Sequence, residues 1–381
     1  MRAPTAFAVI MTVAGASAFA AEPAYRLDKV AETGTTYTAL GVPAVNDAGV
    51  VAFAASTSPG IPPATPPTNG VFFGVPGALQ QVATPGQVRP DLRPVDINNA
   101  GQIAFVARDS AWGVYRSTPG GTLNVAGSGG NTTFGFSGGP SIDDLGRVAY
   151  ITNDNPAGPV GELLITTEGD TGFSWAGPLS AMHGAHRNND GLSLAVSPYF
   201  VFFGSAADRR DIVRGFSDNY TDPETGATGP FNLSREADAG DGGRAVFGAL
   251  HGGARSLFLW DNGTISKVPG SAGIGSDTDV PAINDLGQVA ALLSGRLSVF
   301  DAAGEHRVVS VGDAFDGSTV SALAFNAEGW NDLGQRAFTA TLADGRGVNV
   351  LATVVPEPGA AGALLACAGA ATLRRRRAGR R

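Results

Sequence analysis

Short apolar runs alternate with polar, glycine-bearing turns along most of the chain. In "PAINDLGQVAALLS" (Pro281 to Ser294) an apolar run, an Asn-Asp-Leu-Gly turn and a second apolar run follow one another, a β-hairpin signal. The same phrase recurs. Asn46-Asp47-Ala48-Gly49 precedes "VVAFAAS", Asn98-Asn99-Ala100-Gly101 precedes "QIAFVAR" and Asp143-Asp144-Leu145-Gly146 precedes "RVAYITN". Asn284-Asp285-Leu286-Gly287 then precedes "QVAALLS", and Asn331-Asp332-Leu333-Gly334 precedes "QRAFTAT". Two degenerate copies, Asn188-Asn189-Asp190-Gly191 and Gly240-Asp241-Gly242-Gly243, fill the gap. The turn glycines are separated by 52, 45, 45, 52, 44 and 47 residues, a period that marks a repeat architecture.

Later strand signals in each copy, such as "GVFFGVPG" with "LQQVATPG" or "SLFLWDNG" with "ISKVPGSAG", bring the unit to four strands. Four strands per 40 to 50 residues predict an all-β fold, a seven-bladed β-propeller of four-stranded blades. A parallel β-helix, with shorter coils, fits less well. The two ends complement each other. After the seventh turn only two strands remain ("QRAFTAT" and "GVNVLATV"), while "YRLDKVAETG" (Tyr25 to Gly34) has the form of a fourth strand with no unit before it. That N-terminal strand is expected to complete the last blade, because an open sheet edge invites aggregation. Asn or Asp at the first turn position can cap the turn, and Gly at the fourth accepts a positive φ. A calcium loop is the alternative, but EF-hand-like spacing is absent.

Composition agrees: 381 residues, 43% hydrophobic, with 54 glycines and 24 prolines, suit many turns and a sizeable core. Residues 22–355 carry 19 basic and 33 acidic side chains, a net of −14, so no nucleic-acid partner is expected. Cys367 is the lone cysteine, which leaves stability to burial and backbone pairing.

The ends differ from the body. Residues 1–21 place Arg2 before an apolar run closing on Ala18-Phe19-Ala20, the small-x-small pattern of a signal-peptidase site. A cleaved signal helix implies the Sec translocon and signal peptidase as partners. Residues 356–381 hold Pro356-Glu357-Pro358, an apolar segment from Gly359 to Leu373 and the arginines Arg374, Arg375, Arg376 and Arg377. As a helix those fifteen apolar residues reach about 22 Å, short of the ~30 Å hydrocarbon core. The arginines hold their end in the cytoplasm.

Triplet, hydrophobic helix and basic cluster, in that order, resemble the PEP-CTERM sorting signal of Gram-negative and related bacteria. The resemblance implies an exosortase as partner, cleavage near the triplet, transient membrane anchoring, and a destination at the cell surface or in the extracellular matrix. The repeat in turn resembles the choice-of-anchor tandem repeat proteins, secreted bacterial chains with Asn-x-x-Gly-x-x-Ala-Phe units. It does so through Asn46, Gly49, Ala52 and Phe53, through Asn98, Gly101, Ala104 and Phe105, and through Asn331, Gly334, Ala337 and Phe338. Asp143, Tyr150, Leu194, Ala195, Val246 and Ala291 depart from that pattern. The family implies class and location only.

Functional candidates sit on the loops opposite the Asn-x-x-Gly turns, where the long segments 56–70 and 217–231 fall. Asp218, Asn219, Tyr220, Asp222 and Glu224 suit a sugar or a hard cation, or serve as a solvated loop. Arg89, Asp91 and Arg93 suit an acidic sugar, or pair with neighbours. His183 and His186, three apart, would share a metal only on a helix, and the region reads as loop and strand. Glu236, Asp238, Asp279 and Glu328 are the acids placed nearest the axis, where a glycan-cleaving propeller would need two. No nucleophile-elbow, metalloprotease or phosphate-loop motif is present, and no cofactor or metal is expected. The expectation is an exported, non-catalytic propeller that binds or organises polysaccharide. The alternatives are a polysaccharide-active hydrolase or lyase and a calcium-dependent adhesion module.

Overall fold

In a computed structural model of the chain the described residues are 24–57, 69–82, 87–88, 92, 94–108, 112–118, 121–127, 139–152, 162–166, 174–176, 184–190, 192–197, 200–204, 209–273 and 281–355. They form antiparallel sheets with no α-helix; one 3-10 turn, Ala327–Gly329, interrupts them. The architecture is all-β and propeller-like. The signal segment and the sorting tail, with Ala18, Ala20, Pro356 to Pro358 and Arg374 to Arg377, lie outside the described residues.

Each Asn-x-x-Gly turn joins the first strand of a sheet to the second. In the sheet with Asn284 at its turn, Pro281–Ile283, Val289–Leu293, Arg296–Asp301 and Gly304–Ser310 follow in order, each paired to the next. The sheet with turn 240–243 repeats this with Asn232–Gly240, Arg244–His251, Ala254–Asp261 and Thr264–Lys267. First strands neighbour one another in chain order: Ala44–Val45 beside Asp96–Ile97, then Ser141–Ile142, Gly184–Arg187, Asn232–Gly240 and Pro281–Ile283. The Ala327–Gly329 turn, leading into the last Asn-x-x-Gly, touches both Pro281–Ile283 and Ala44–Val45.

The last sheet departs from sequential order. Ser318–Ala324, Arg336–Leu342 and Gly347–Val355 are followed by Ala24–Glu32 from the other end of the chain. That strand runs antiparallel to Gly347–Val355, from Ala24 opposite Val355 to Glu32 opposite Val348, with one irregularity between Lys29 and Ala31. The N-terminal ribbon therefore sits where the missing fourth strand was expected. Thr33 secures its end, donating its N–H to Gly347 O (2.9 Å) and accepting from Gly347 N on Oγ1 (2.8 Å). Lys29, Glu32, Asp316, Asp344 and Arg346 form an ion-pair network at the same place. Exposed pairs contribute little singly, so the backbone pairing carries this junction.

The core explains the Ala-Phe signature. Second strands are buried on both faces because sheets pack on either side, so they read as unbroken apolar runs rather than alternating ones. Ala52, Ala104, Ala149 and Ala337 are fully buried, and one residue on stand Phe53, Phe105, Tyr150 and Phe338. Phe53 stacks on Phe72 at 5.9 Å and meets the Tyr37 ring edge-on at 6.0 Å. Truncating such a phenylalanine to alanine removes about 3–5 kcal/mol.

Candidate functional site

The Asn-x-x-Gly turns of several sheets line one shared cavity. At the first turn position Oδ1 caps the strand that follows, accepting from Val50 N (3.0 Å, to Asn46), Gln102 N (2.8 Å, to Asn98), Arg147 N (2.9 Å, to Asp143) and Gln335 N (2.8 Å, to Asn331). The fourth-position glycines Gly49, Gly101, Gly146, Gly243, Gly287 and Gly334 take φ between +73° and +77°, where a side chain is strained. Both expectations about the turn hold.

The same residues also join neighbouring sheets. Asn46 Nδ2 donates to Asn98 O (3.0 Å), Asn98 Nδ2 to Asp143 O (2.9 Å), Asn188 Nδ2 to Gly240 O (2.9 Å) and Asn331 Nδ2 to Asn46 O (2.7 Å). The second position makes a longer series. The N–H of Asp47 donates to Asn99 Oδ1 (2.9 Å), Asn99 to Asp144 (2.8 Å), Asp144 to Asn189 (2.9 Å) and Asn189 to Asp241 (2.8 Å). Asp241 then donates to Asp285 (2.9 Å), Asp285 to Asp332 (2.8 Å) and Asp332 to Asp47 Oδ1 (3.0 Å), the residue where the series began. Asp and Asn suit this position because a short side chain with an sp² oxygen accepts the second-position N–H of the preceding turn; between the two degenerate copies Asp190 N also donates to Asp241 (3.4 Å) and Gly242 N to Asp190 Oδ2 (2.7 Å).

The shared cavity is about 130 Å³ and is lined by Asp96, Ser141, Asp238 and Glu328 among others. Asp96, Ser141, His186 and Asp238 share one repeat position, two before the first turn residue; Ala44, Ala282 and Gly329 hold it elsewhere. That position is thus polar in four copies and small in three. His186 Nδ1 is 3.0 Å from Glu328 Oε1 and 3.5 Å from Asp238 Oδ1.

The two aspartates do the same job in different sheets. Asp238 Oδ1 accepts from Ala239 N (2.8 Å) and Oδ2 from Ile283 N in the next sheet (2.8 Å). Asp96 Oδ1 accepts from Ile97 N (2.7 Å) and Oδ2 from Ile142 N (2.6 Å), with the Ser141 hydroxyl as a further donor. Each carboxylate staples adjacent first strands. Burial pushes Asp238 up to about 6, with the His186 charge opposing the rise and the Glu328 charge adding to it. Burial raises Asp96 well above the usual carboxylate range, and Glu328 reinforces it.

Of the acids expected at the axis, Asp238 and Glu328 are there; the Glu236 side chain and Asp279 lie outside the described residues. His186 also stands beside these acids, on the strand Gly184–Arg187 as its region reads; His183 lies outside the described residues. Asp96 and Ser141 were not expected. Their signal was available in the shared repeat position, once that position is known to face the axis.

The segment 217–231 folds as a small hairpin, Asn219–Thr221 against Thr228–Pro230. Its candidates do not converge on an opening. Tyr220 packs its ring against Phe231 (5.4 Å), Phe258 (5.4 Å) and His251 (5.1 Å). Asp222 accepts from Glu224 N (2.9 Å) and pairs with Lys267 (3.1 Å), which also pairs with Glu224 (3.2 Å). Asp218 accepts from Arg214 N (2.8 Å), and Asn219 is exposed. Arg89, Asp91 and Arg93 lie outside the described residues. Among the described residues no group of three or more His, Cys, Asp and Glu could hold a metal ion, and no helix is long and apolar enough to cross a membrane.

Residues 27–108 match a family of unknown function (DUF7453). No curated protein matches the chain in sequence. Among solved structures, the WD40 domain of Toxoplasma gondii coronin is similar at 10% identity and a TM-score of 0.45, over 89% of this chain and 88% of that one. The extracellular domain of the hybrid two component system BT4673 from B. thetaiotaomicron is similar at 10% identity and a TM-score of 0.44. That likeness covers 86% of this chain and 40% of that chain.

Proposed function

We propose that residues 22–355 form a closed seven-bladed propeller, exported behind a cleaved signal peptide, that binds or organises extracellular polysaccharide without catalysing a reaction. The pairing of Ala24–Glu32 with Gly347–Val355 and the return of the turn series to Asp47 support closure. The observation that carries the non-catalytic reading is the use made of two of the three axial acids, the third, Glu328, meeting His186. A glycan-cleaving pair must turn free carboxyl oxygens toward the sugar. Asp96 and Asp238 instead hold backbone N–H groups of neighbouring strands on both oxygens.

Pro356-Glu357-Pro358, the apolar segment after it and Arg374 to Arg377 support processing by an exosortase at the cell surface. A glycan array with and without EDTA, followed by a turnover assay on the glycans bound, tests the binding role. Binding without turnover is expected. Turnover would replace the reading with a hydrolase or lyase, and loss of binding in EDTA with a calcium-dependent adhesin. Mass spectrometry of the mature protein is expected to find its C-terminus near Pro356, and an intact tail in exosortase-bearing cells would overturn the sorting reading.

A further inference from the structure

One repeat position breaks its own rule. Two residues after the turn glycine stand Val51, Ile103, Val148, Ser193, Ala245 and Val289, all buried and all aliphatic or small; in the last copy the position is Arg336. Arg336 is only 2% exposed. Its Nη1 donates to Gly334 O and its Nε has no hydrogen-bond partner; among the described residues no carboxylate lies within ion-pair distance, and the Asp301 charge reaches it only from further away. The rings of Tyr25 and Trp330 flank the guanidinium at 5.1 and 5.0 Å. Burying a cation that no carboxylate contacts directly costs several kcal/mol, and the cation–π contacts together with the more distant Asp301 charge offset only part of that. Burial accordingly lowers the pKa of Arg336.

Arg336 lines a second cavity of about 300 Å³ together with Tyr25, Gln288, Asp301, His306 and Asp332, the last of which also lines the axial cavity. Leu286 and Leu333, third residues of two adjacent turns and each 70% exposed, stand among its lining. His306 Nε2 meets Asp301 Oδ1 at 3.0 Å, while its buried Nδ1 has no partner. Gln288 Nε2 reaches Asp301 Oδ2 at 3.4 Å. An arginine with no directly paired carboxylate, the linked polar groups of Gln288, Asp301 and His306, and apolar side chains line one cavity.

We propose that this cavity binds a uronic acid residue, its carboxylate on Arg336 and its hydroxyls on Gln288, Asp301 and His306. Guanidinium groups favour carboxylates through paired N–H donors, and Tyr25 with the two leucines offers an apolar face to a sugar ring. A ligand with one carboxylate and several hydroxyls accounts for an arginine and an aspartate lining the same space. A bare sulfate or phosphate gains nothing from Asp301 and is repelled by it.

This rests on the polysaccharide-binding reading, and the test separates the two. The full chain is titrated with trigalacturonate, neutral galactotriose and inorganic sulfate, following tryptophan fluorescence and calorimetry. Saturable binding of trigalacturonate alone is expected. Arg336→Val, which restores the residue type of the other copies, should bind it at least tenfold more weakly at an equal or higher Tm. Leu286→Asp, on the exposed rim, should weaken it several-fold at unchanged Tm. Trigalacturonate binding unaffected by both variants would overturn this site and leave the polysaccharide reading standing. No uronate binding by the wild type, with a lower Tm in Arg336→Val, would make Arg336 a clamp for the N-terminal strand and overturn the proposal. Silence toward every glycan on the array would overturn both.

Discussion

From Asp47 through Asn99 to Asp144 the turn series alternates acid and amide, whereas from Asp241 through Asp285 and Asp332 back to Asp47 it runs acid to acid. Both arcs make the same backbone N–H to side-chain bonds at 2.8–3.0 Å. The difference lies in the second oxygen of each carboxylate. Asn99 Nδ2 donates to Asp47 Oδ2 (2.9 Å) and to Asp144 Oδ2 (3.1 Å), so one amide joins two acids. No amide separates Asp241, Asp285 and Asp332. There burial and the Asp285 charge push Asp241 up to about 6, and burial with the charges of Asp285 and Asp47 pushes Asp332 up to about 7. The backbone donors set the geometry and accept either side chain; the order of acids and amides sets the charge state.

The largest effect is expected where the two arcs meet. Asn331→Ala removes the bond to Asn46 O and the cap on Gln335 N together, and should destabilise by about 2–3 kcal/mol in urea unfolding. Asn284→Ala removes a cap and an Nδ2 bond that stays within its own turn, to Gln288, and should lose only about 1 kcal/mol. Equal losses would mean that the link between sheets adds nothing. Asn99→Asp comes next. It keeps the acceptor for the Asp47 N–H, removes both amide donors and adds a third acid to that arc. A loss of about 1 kcal/mol at pH 7, shrinking on acidification, is expected from parallel urea titrations.

How far each region was legible from residues alone follows from how local its cause is. Turn caps and glycine φ values depend on four consecutive residues, so Asn-x-x-Gly was read as it folds. The N-terminal ribbon was found because a strand was missing elsewhere, which is a counting argument across the chain. Asp96 was missed because nothing in "RPVDINNA" marks its carboxyl as an acceptor for Ile142 N, 46 residues away. His186 lies on a strand, as its region reads; it was set aside with His183 because an i, i+3 pair shares a face only on a helix, and its place beside Glu328 and Asp238 depends on residues 142 and 52 positions away. The hairpin acids looked like ligands because their partner Lys267 lies 43 and 45 residues downstream. Arg336 differs in sequence from the aliphatic or small residues of the other copies, but its burial between two rings shows only in the structure.

The smallest effect is the most specific to the comparison, and it concerns pH. Isolated aspartates titrate near 4, so between about pH 4 and 7 the folded chain holds protons on Asp241 and Asp332 that the unfolded chain has lost. The contribution of these two groups is therefore fully present below about pH 4, declines as pH rises through 6 and 7, and is level above that. Glu32, Asp316 and Asp344, held low by Lys29 and Arg346, act in the opposite sense and lose their contribution only as pH falls below about 4. Asp285→Asn keeps the acceptor for the Asp241 N–H, removes the charge between the two raised acids and places an amide beside both, as Asn99 does in the other arc. It should raise stability by about 0.5–1 kcal/mol at pH 7.5, after allowance for solvent screening, and by nothing measurable at pH 4. Subtracting the wild-type curve of stability against pH from that of the variant cancels every other group, so the difference should rise between pH 5 and 7. A difference that stays flat would mean that the acid arc sheds its charge by drawing in cations rather than by holding protons.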